Sequence, residues 1–552
     1  MTGRRDAAIR DVVVVGGGPT GLIAALLLAD TGVRTTLVEK ETGPGDLPRA
    51  ISLQDESLRT LEQLGVADAL KAESLLDTGS RYFGLGDRLL LEAKPVASRL
   101  GHPAKTQFDQ PLLERLLWER AVTHERLEFL RGAEATAVTQ DADGVRVSVT
   151  TGNRTRTLTS DWLIGADGGR SFVRRATGID MAGTTQPQRW IVVDLLNEPT
   201  AREPFAEFHG NGIRPYVLVP GMRGRLRIEF MLFDHEDPED MTTPERIRKL
   251  IVPRFRNTLT PDDVRRAVVY VAHQRIARTY RAGRVFLAGD AAHLMPPFAG
   301  QGLNAGIRDA ANLTWKLAEA VTGGAGERLL DSYEKERRTH GAAMVTVSRR
   351  IGTVVMASHP VLTRVRDAIV RGLGLIPRVH DHLAHMRFIA PPDYSAGAAV
   401  PAADGHGTTL DTVSVGRALS QPAVRDATGA ERGLDAHLGP GWALLQIGGP
   451  PHRAVDTYWD TIGARRLCIR KPGGEPADGV VTETTAVLTR TVHTDAPPVF
   501  VAVRPDRYVA AVFDSASEHH VVEHLRVFID RARHTGPHPP TPTPGSPSPT
   551  HH

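Results

Sequence analysis

The chain has 552 residues, a formal net charge of +3 and 41% hydrophobic residues. This length predicts two or three domains, and so small a net charge gives no general support for nucleic-acid binding. No apolar run is long enough to span a bilayer, and the single cysteine, Cys468, excludes an intrachain disulfide. Since the first predicted strand leaves no room for a signal peptide before it, we expect a cytoplasmic protein.

The first predicted unit is a strand, a glycine turn and a helix. Four consecutive valines, residues 12–15, are typical of a strand buried on both faces. Gly16, Gly18 and Gly21 then have the spacing of a dinucleotide-binding fingerprint, in which the N-terminus of the following helix faces the phosphates. The next apolar run ends at Glu39, whose carboxylate can accept a hydrogen bond from a ribose hydroxyl. This context predicts nucleotide binding rather than a turn of purely structural use.

Further helices and strands are predicted up to about residue 180. An amphipathic helix is predicted to end at Gly65, and Gln110 opens a second helix with a stripe of leucines. Residues 138–151 and 154–159 predict a hairpin, because Asp-Gly and Gly-Asn pairs mark its turns. A buried strand beginning at Trp162 then leads into a polar loop.

The rest of the chain predicts an inserted sheet, a helical segment and a third domain. Residues 181–275 carry strand-like runs broken by Pro and Gly, which predict a mostly antiparallel sheet inserted into the nucleotide-binding unit. A buried strand at Val285 leads into a long helix, and more helices extend to about residue 390. Strand runs within residues 400–535 predict a small third domain. The Pro-, Ser- and Thr-rich residues 536–552 predict a disordered tail.

Three separated motifs each follow a predicted strand. They are Gly16, Gly18 and Gly21 with Glu39; Asp167 and Gly168 with Arg170, Ser171, Val173 and Arg174; and Gly289 and Asp290 with His293, Pro296, Pro297, Gly300, Gln301 and Gly302. Together they resemble the motifs of the group A flavoprotein monooxygenases, which have the para-hydroxybenzoate hydroxylase fold. The resemblance implies an α/β protein with a Rossmann-like FAD-binding domain, residues 1–180 and 276–395. It also implies an inserted, mostly antiparallel sheet, residues 181–275, as the substrate-binding domain.

Residues 400–535 resemble the thioredoxin-like third domain of one branch of this family, the phenol hydroxylases and 3-(3-hydroxyphenyl)propionate hydroxylases. The similarity is carried by residues 416–417, 421–422, 434–441 and 504–508. The segment lacks a C-x-x-C pair, and one thiol cannot cycle a disulfide. We therefore expect this C-terminal domain to serve packing or oligomer contacts.

The resemblance implies FAD as the bound cofactor. Asp290 is placed to accept hydrogen bonds from the ribityl hydroxyls, and Pro297 belongs to a stiff loop at one face of the flavin. The next helix N-terminus can hold negative charge on the flavin. The structural alternatives are a helix N-cap for Asp290 and a turn residue for Asp167. The residues assigned to FAD are Gly16, Gly18, Pro19, Thr20, Gly21, Glu39, Lys40, Arg49, Gln110, Asp167, Asp290, Pro297, Gly300, Gly302, Leu303 and Asn304.

The sequence says less about substrate contacts. His209, Tyr216 and Arg225 lie in the inserted sheet and are our candidates, although buried polar side chains more often need only a partner within the fold. A histidine cluster within residues 380–385 has one carboxylate beside it, which favours a solvated helix end over a metal site. We assign no metal.

The resemblance implies an FAD-dependent monooxygenase that consumes NAD(P)H and O2 and hydroxylates a phenolic compound, either a small phenol or an aromatic polyketide. In this family the oxygen is transferred from a flavin C4a-hydroperoxide, so we assign no obligatory catalytic side chain. Two alternatives remain open: a Baeyer–Villiger or epoxidising monooxygenase of polyketide biosynthesis, and an FAD-binding reductase or non-catalytic flavoprotein. We expect transient binding of NAD(P)H, a monomer or homodimer, and no nucleic-acid or membrane partner.

Overall fold

A computed structural model provides the fold. It describes residues 11–196, 202–251, 263–355, 358–400, 410, 412–449, 456–490 and 497–531. The predicted tail, residues 536–552, lies outside the described residues.

Residues 11–180 form a mixed α/β unit. Its strands are β1 Asp11–Val15, β2 Arg34–Glu39, β3 Ser52–Gln54, β4 Gly79–Phe83, β5 Leu89–Ala93, β6 Lys105–Gln107, β7 Leu127–Arg131, β8 Ala133–Gln140, β9 Val145–Thr151, β10 Arg154–Ser160 and β11 Trp162–Gly165. Its helices are α1 Pro19–Asp30, α2 Asp55–Gln63, α3 Ala67–Ala72, α4 Gln110–Thr123 and α5 Phe172–Ala176. The predicted hairpin is confirmed, because β9 pairs antiparallel with β10 and with β8.

The described residues between 181 and 294 supply most strands of a second sheet and two strands of the first sheet. The elements of this range are β12 Met181–Leu195, β13 Phe205–His209, β14 Tyr216–Pro220, β15 Leu226–Leu232, α6 Pro238–Met241, α7 Pro244–Ile251, β16 Val264–Ala277, β17 Arg281–Ala282, β18 Val285–Leu287 and β19 His293–Leu294. Four helices follow: α8 Gly302–Val321, α9 Glu327–Val355, α10 Pro360–Gly374 and α11 Pro377–Ala384.

A six-stranded sheet forms the centre of the nucleotide-binding unit. Its order is β17-β18-β11-β1-β2-β7, and every neighbouring pair except β17 and β18 is parallel. The valines of β1 are almost fully buried, as expected for a parallel strand covered on both faces. Helices α1 and α8 pack against each other beside this sheet and share its hydrophobic core. The carboxyl ends of β1, β11 and β18 therefore meet at one edge, where α1 and α8 begin.

The second sheet has eight strands in the order β19-β16-β12-β15-β14-β13-β4-β5. All its neighbouring pairs are antiparallel except β13 with β4, so the predicted mostly antiparallel sheet is confirmed. The sheet also takes strands from outside residues 181–275, namely β4 and β5 before that range and β19 after it. Their pairing is long-range, which sequence alternation alone does not reveal.

The C-terminal domain is built on a seven-stranded sheet. Its elements are β20 Ala423–Arg425, β21 Glu431–Gly433, α12 Asp435–Leu438, β22 Ala443–Ile447, α13 Tyr458–Thr461, β23 Arg465–Arg470, β24 Val480–Glu483, β25 Val499–Val503, β26 Val509–Phe513 and α14 Glu518–Arg526. In its centre, β22 pairs parallel with β23 and antiparallel with β25, which pairs antiparallel with β26. This is the strand arrangement of the thioredoxin fold, as predicted.

Candidate functional site

A cavity of about 320 Å³ lies between the six-stranded sheet and the eight-stranded sheet. One side is formed by the loops that follow β1, β11 and β18 and by the start of α8. The opposite side is formed by β4, β13, β14 and β15 of the eight-stranded sheet, together with β6. The first side is the edge at which open parallel sheets bind ligands. We call it the cofactor side of the cavity, and we call the opposite side the sheet side.

The fingerprint glycines divide into two structural roles. Gly16 has a φ of +110°, and a side chain there would collide with the backbone at Ala166. A side chain at Gly21 would collide with the carbonyl oxygen of Gly16, so both glycines allow the helix to pack against the strand. Gly18, in contrast, has open space where a Cβ would lie, with no atom within 4 Å, and it lines the cavity with Pro19 and Thr20.

The start of α1 is open to an anionic ligand. Gly18 is its N-cap residue, no side chain caps it, and its first turn holds no acidic residue. The N–H groups of a first helical turn have no partner within the helix, and the helix dipole favours negative charge beside them. This end of α1 therefore has the features that a pyrophosphate requires.

Glu39 and Lys40 lie behind this loop and do not line the cavity. The Glu39 carboxylate accepts hydrogen bonds from the backbone N–H groups of Gly17 and Glu41, the latter at 2.9 Å. Lys40 is exposed and lies 3.8 Å from the Glu41 carboxylate. The structure thus gives Glu39 a role in fixing the glycine loop, and the assignment of both residues to FAD stays a prediction.

Asp290 places a carboxylate in the cavity. It follows β18 in a short turn, and its side chain accepts no hydrogen bond from the described residues. Burial raises the pKa of the Asp290 carboxyl, while the nearby His293 and Arg49 oppose this shift. An open acceptor in this position matches the need of ribityl hydroxyls for hydrogen-bond partners. The N-cap alternative for Asp290 has no support, because no helix N–H of the described residues donates to it.

Arg49 and Gln110 are linked by the loop that carries Arg49. The Gln110 side-chain oxygen accepts from the backbone N–H of Arg49 at 3.2 Å and of Ala50 at 2.5 Å. Its amide nitrogen donates to Glu114 at 2.6 Å. Both Arg49 and Gln110 line the cavity. Gln110 therefore holds the loop in place, and the exposed Arg49 side chain is the group available to meet a ligand charge.

Asp167 serves the fold directly. Its carboxylate accepts from the Ser171 hydroxyl at 2.5 Å and from the backbone N–H groups of Phe172 and Val173 at 2.6 and 3.0 Å, which caps α5. Arg174 of the same helix donates to the carbonyl oxygens of Gly169 and Ala291, both at 2.9 Å. This motif therefore joins the loop after β11 to the loop after β18. The turn interpretation of Asp167 is thus observed, and its contact with FAD stays a prediction.

The start of α8 borders the cavity beside Pro297. Gly300 has a φ of +62° and lets the chain turn into the helix, whose N-terminus has no side-chain cap. Gly302 and Leu303 line the cavity with Pro297 and Gly300. The Asn304 side chain points away from it and is fully engaged, accepting from Gln54 N–H and the Ser57 hydroxyl and donating to the carbonyl oxygens of Ser52 and Gly300. Only the backbone of Asn304 is available to a ligand.

The sheet side of the cavity combines an apolar surface with buried polar groups. Ala206, Phe208, Val217 and Val219 supply the apolar part. The polar groups are Ser80, Tyr82, Lys105, Gln107, Arg227 and Glu229. Near the mouth, Ile351, Met386, Phe388 and Ile389 add apolar side chains from the helical segment. This side of the cavity therefore offers an apolar wall with polar groups around it.

Burial shifts the pKa values of these polar groups. It lowers the pKa of the Lys105 ammonium to about 8 and raises the pKa of the Tyr82 hydroxyl to about 12. Burial also raises the pKa of the Glu229 carboxyl, which accepts a hydrogen bond from the Tyr270 hydroxyl at 3.0 Å. Arg227 is neutralised by Asp194, to which its Nε donates at 2.7 Å.

Comparison with known proteins identifies the family. The FAD binding domain family matches residues 10–348, and the HcaD C-terminal domain family matches residues 416–527. The 3-(3-hydroxy-phenyl)propionate/3-hydroxycinnamic acid hydroxylase of Mycolicibacterium smegmatis is 36% identical to the chain over 511 residues, which cover 91% of this chain and 90% of that relative. The chain belongs to the FAD-dependent aromatic hydroxylases.

Solved structures share the fold of this hydroxylase. The flavin-dependent monooxygenase PieE, solved with FAD and substrate, has a TM-score of 0.77 and 24% identity, and the match covers 94% of this chain and 98% of PieE. The OxyS anhydrotetracycline hydroxylase from Streptomyces rimosus has a TM-score of 0.73 and 27% identity, covering 94% of this chain and 99% of OxyS. The predicted fold, family and enzyme class are confirmed.

The three candidate substrate residues of the hydroxylase do not line the cavity. His209 and Tyr216 belong to β13 and β14, but their side chains alternate with those of the cavity wall and point to the other face. There the His209 ring stacks between Phe83 and Tyr216 at 4.3 and 4.2 Å, and its Nδ1 lies 2.9 Å from Asp87. Arg225 pairs with Asp109 outside the cavity. Each of these three side chains therefore has a partner within the fold.

Sequence reasoning missed Lys105 and Gln107. They lie on β6, a strand of three residues that pairs with β3 in a two-stranded sheet, and so short a strand has no readable alternation. The strand at β14 was accessible to such reasoning as an apolar run, but its residues are buried on both faces, so the pattern does not show which face meets the cavity.

The remaining sequence-based expectations concern metals and membranes. In the part of the chain that the structure describes, no group of three or more His, Cys, Asp or Glu side chains is arranged to hold a metal ion. His385, from the histidine cluster, lies with its Nδ1 2.8 Å from the Asp381 carboxylate near the end of α11. Within the same described ranges, every helix is too short or too polar to cross a bilayer.

Proposed function

We propose that this hydroxylase oxidises a small phenolic acid of the 3-(3-hydroxyphenyl)propionate type, with NAD(P)H as the electron donor and O2 as co-substrate. The main support for this proposal is the lining of the cavity. One side has an open carboxylate and an open helix N-terminus, and the other side has an apolar wall with polar groups. The relative from M. smegmatis, named for action on such acids, supports the choice.

The residues of the cofactor side fit FAD. We propose that the open start of α1 binds the pyrophosphate, that Asp290 accepts from the ribityl hydroxyls, and that Arg49 and the start of α8 meet the flavin ring. When bound, FAD supplies the redox and oxygen-transfer chemistry. The protein side chains orient the substrate ring against the wall of Phe208, Val217 and Val219, and they exclude water.

The size of the cavity favours a single ring. Ligand cavities commonly span about 300–1,000 Å³, and about 320 Å³ is at the small end of that range for a space shared with a flavin ring. OxyS, a structural neighbour, is named for hydroxylation of anhydrotetracycline, so a polycyclic substrate is the second candidate. The fold alone does not favour it, because the same fold accommodates many substrates.

We propose transient binding of NAD(P)H near residues 167–174. Within the described residues, one strand–glycine–helix unit has the full nucleotide-binding context, and its phosphate site serves FAD in our assignment. A donor without a dedicated site binds weakly, and we expect NAD(P)H consumption to depend on substrate. We also propose the domain division given above, a monomer or homodimer, and a cytoplasmic location.

The test uses purified, flavin-loaded enzyme and a substrate panel. We expect 3-(3-hydroxyphenyl)propionate and 3-hydroxycinnamate to stimulate NAD(P)H oxidation and to gain one labelled oxygen from ¹⁸O2, with ring hydroxylation seen by NMR. Stimulation by polycyclic quinones alone would favour the second candidate, and a lactone product would indicate Baeyer–Villiger chemistry. Oxidation of NAD(P)H with no label incorporated under any condition would contradict the proposal.

A further inference from the structure

Lys105 and Gln107 present two polar groups to the cavity from the same face of β6. They are two residues apart, so their side chains project to one side of the strand, and both line the cavity. Thr106, between them, is fully buried on the other face. The two side chains therefore form one polar patch in the sheet side of the cavity, which we call the β6 patch.

Lys105 brings a positive charge into this patch. Its Nζ donates to the Ser80 hydroxyl at 2.8 Å and to the Gly79 carbonyl oxygen at 3.3 Å, and both acceptors are neutral. Burial is the cause of its lowered pKa, and no carboxylate among the described residues offsets it. Buried charges in proteins are normally paired, because the loss of hydration is costly. Arg227 in the same cavity follows that rule through Asp194.

Gln107 adds a side-chain amide whose hydrogen-bonding capacity is unsatisfied. It is 2% exposed, and among the described residues neither its side-chain nitrogen nor its side-chain oxygen has a hydrogen-bond partner. Most buried side-chain amides are hydrogen-bonded, so a ligand is the natural partner for one that faces a cavity. A cation without a counter-ion and an unpaired amide donor, on one face of the same strand, are complementary to an anionic group with two acceptor oxygens.

We propose that the β6 patch binds the carboxylate of the substrate, with Lys105 as the charge partner and Gln107 Nε2 as the second donor. This assignment rests on the proposed function, since it requires an acid side chain on the aromatic substrate. Lys105 and Gln107 are then specificity-determining residues: they select anionic substrates and hold the ring at a fixed distance from the strand. A neutral substrate would leave the Lys105 charge without a counter-ion, and an unmatched charge is a means by which polar sites reject analogues.

The test compares an acid with its primary amide. Dissociation constants of 3-(3-hydroxyphenyl)propionate and 3-(3-hydroxyphenyl)propionamide are measured from the change in flavin absorbance and by calorimetry, for wild type, Lys105→Met, Gln107→Glu and the control Lys335→Met on α9. We expect Lys105→Met to weaken acid binding by about 10- to 100-fold and amide binding by less than about threefold. The control should change neither.

Gln107→Glu provides the second variant. It preserves side-chain size but places a negative charge beside Lys105, so acid binding should weaken while amide binding persists. Flavin content and near-UV circular dichroism report whether each variant is folded. Equal losses for acid and amide, or unchanged acid affinity in both folded variants, would overturn the assignment.

The same experiment separates this inference from the proposed function. A wild-type enzyme that binds and oxidises the acid, with variants that keep its preference for acid over amide, would refute the β6 patch and leave the proposed function standing. A wild-type enzyme that neither binds nor oxidises phenolic acids would overturn both. A preference for the acid that is lost in Lys105→Met supports both.

Discussion

At the scale of single residues, the cofactor side depends on groups that the described part of the chain leaves without partners. Asp290 is the clearest case, because neighbouring carboxylates such as Glu39 and Asp167 are occupied by backbone N–H donors, whereas Asp290 is not. The Asp290 side chain is exposed in the turn after β18, so its carboxylate can accept hydrogen bonds from a ligand in the cavity. This position suits a hydroxyl-rich ligand.

We predict that Asp290→Ala yields a folded protein with weaker FAD binding. Loss of a charge-assisted acceptor is worth about 1.5–3 kcal/mol, which corresponds to roughly a 10- to 150-fold higher dissociation constant. Calorimetric titration of the apoprotein with FAD measures it. Asp68→Ala, which changes an exposed carboxylate on α3, is the matched control and should bind FAD normally. Wild-type affinity in Asp290→Ala would remove Asp290 from the site.

The pKa of Lys105 leads to a second residue-scale prediction. With a pKa of about 8, the Lys105 ammonium is charged at pH 7 and loses its proton as the pH rises through 8. Tyr82, which also faces the cavity, has a pKa of about 12 and stays neutral over this range. The affinity for an anionic substrate should therefore be full below pH 8 and fall by up to about tenfold for each pH unit above the Lys105 pKa of the ligand-free enzyme.

The measurement is the dissociation constant of the acid and of its amide between pH 6.5 and 9.5. We expect the acid to show the alkaline loss and the amide to show none. In Lys105→Met the loss should be absent for both ligands. An identical pH profile for wild type and Lys105→Met would show that another group is responsible.

At the scale of elements, the cofactor side of the cavity depends on the close approach of α1 and α8. Gly306 on α8 faces this contact: a side chain there would collide with the Thr20 hydroxyl and come within 3.3 Å of the Gly289 α-carbon. Thr20 lies at the start of α1 and Gly289 in the loop after β18, so this one position holds two of the three motifs together. Close packing of these segments therefore requires a glycine at position 306, although this position belongs to none of the three sequence motifs.

We predict that Gly306→Ala lowers both thermal stability and FAD affinity, because α8 must move away from these two segments. Overpacking of this kind costs about 1–3 kcal/mol. Gly372→Ala on α10 is the matched control: nothing lies within 4 Å of the added methyl group, and the change should stabilise the helix by about 0.5–1 kcal/mol. Thermal unfolding monitored by circular dichroism and FAD titration provide the readouts. Equal behaviour of the two variants would contradict the packing argument.

At the scale of the whole molecule, the C-terminal domain is joined to the FAD-binding unit by buried charges. Arg504, after β25, donates to both oxygens of Glu336 on α9 at 2.8 and 2.9 Å, and Lys316 on α8 donates to Glu336 at 2.7 Å. The side chains of all three are 0% exposed. Such a junction fits the packing role expected for a thioredoxin-like domain without a redox pair.

A second series of hydrogen bonds connects the C-terminal domain to the cofactor side of the cavity. The Tyr508 hydroxyl donates to Glu56 at 2.7 Å, and Glu56 accepts from Arg308 at 2.5 Å. Arg308 donates to Gln301, the residue before α8, at 3.3 Å. The C-terminal domain therefore supports the helix start that borders the cavity, although none of its described residues lines the cavity wall.

We predict that Arg504→Met destabilises the protein by about 3–5 kcal/mol, because it leaves the buried Glu336 carboxylate without its bidentate partner. Arg466→Met is the control: Arg466 pairs with Asp460 on the surface of the same domain, and exposed pairs contribute about 1 kcal/mol or less. Denaturant unfolding measures the free energies, and limited proteolysis reports release of the C-terminal domain. A change in Arg504→Met as small as in Arg466→Met would show that the junction is held by apolar packing alone.

Features that depend on local pattern could be predicted from the amino-acid sequence. A valine run, a glycine turn and a helix specify the nucleotide-binding unit, because the turn needs glycine wherever backbones approach closely, as at Gly16 and Gly21. Asp290 was predictable for the same reason, since it directly follows a buried strand. The thioredoxin-like domain was also predictable from its resemblance, and its single thiol excluded a redox cycle.

The residues that form the sheet side of the cavity depend on contacts between distant strands. In β13 and β14 successive side chains point to opposite faces, but which face meets the cavity depends on pairing with β4, more than a hundred residues earlier. A shift of one residue exchanges His209 for Phe208, and Tyr216 for Val217. Lys105 and Gln107 lie on a strand too short to show a period. The missing counter-ion of Lys105 and the missing partner of Gln107 among the described residues arise only when the chain folds around the cavity.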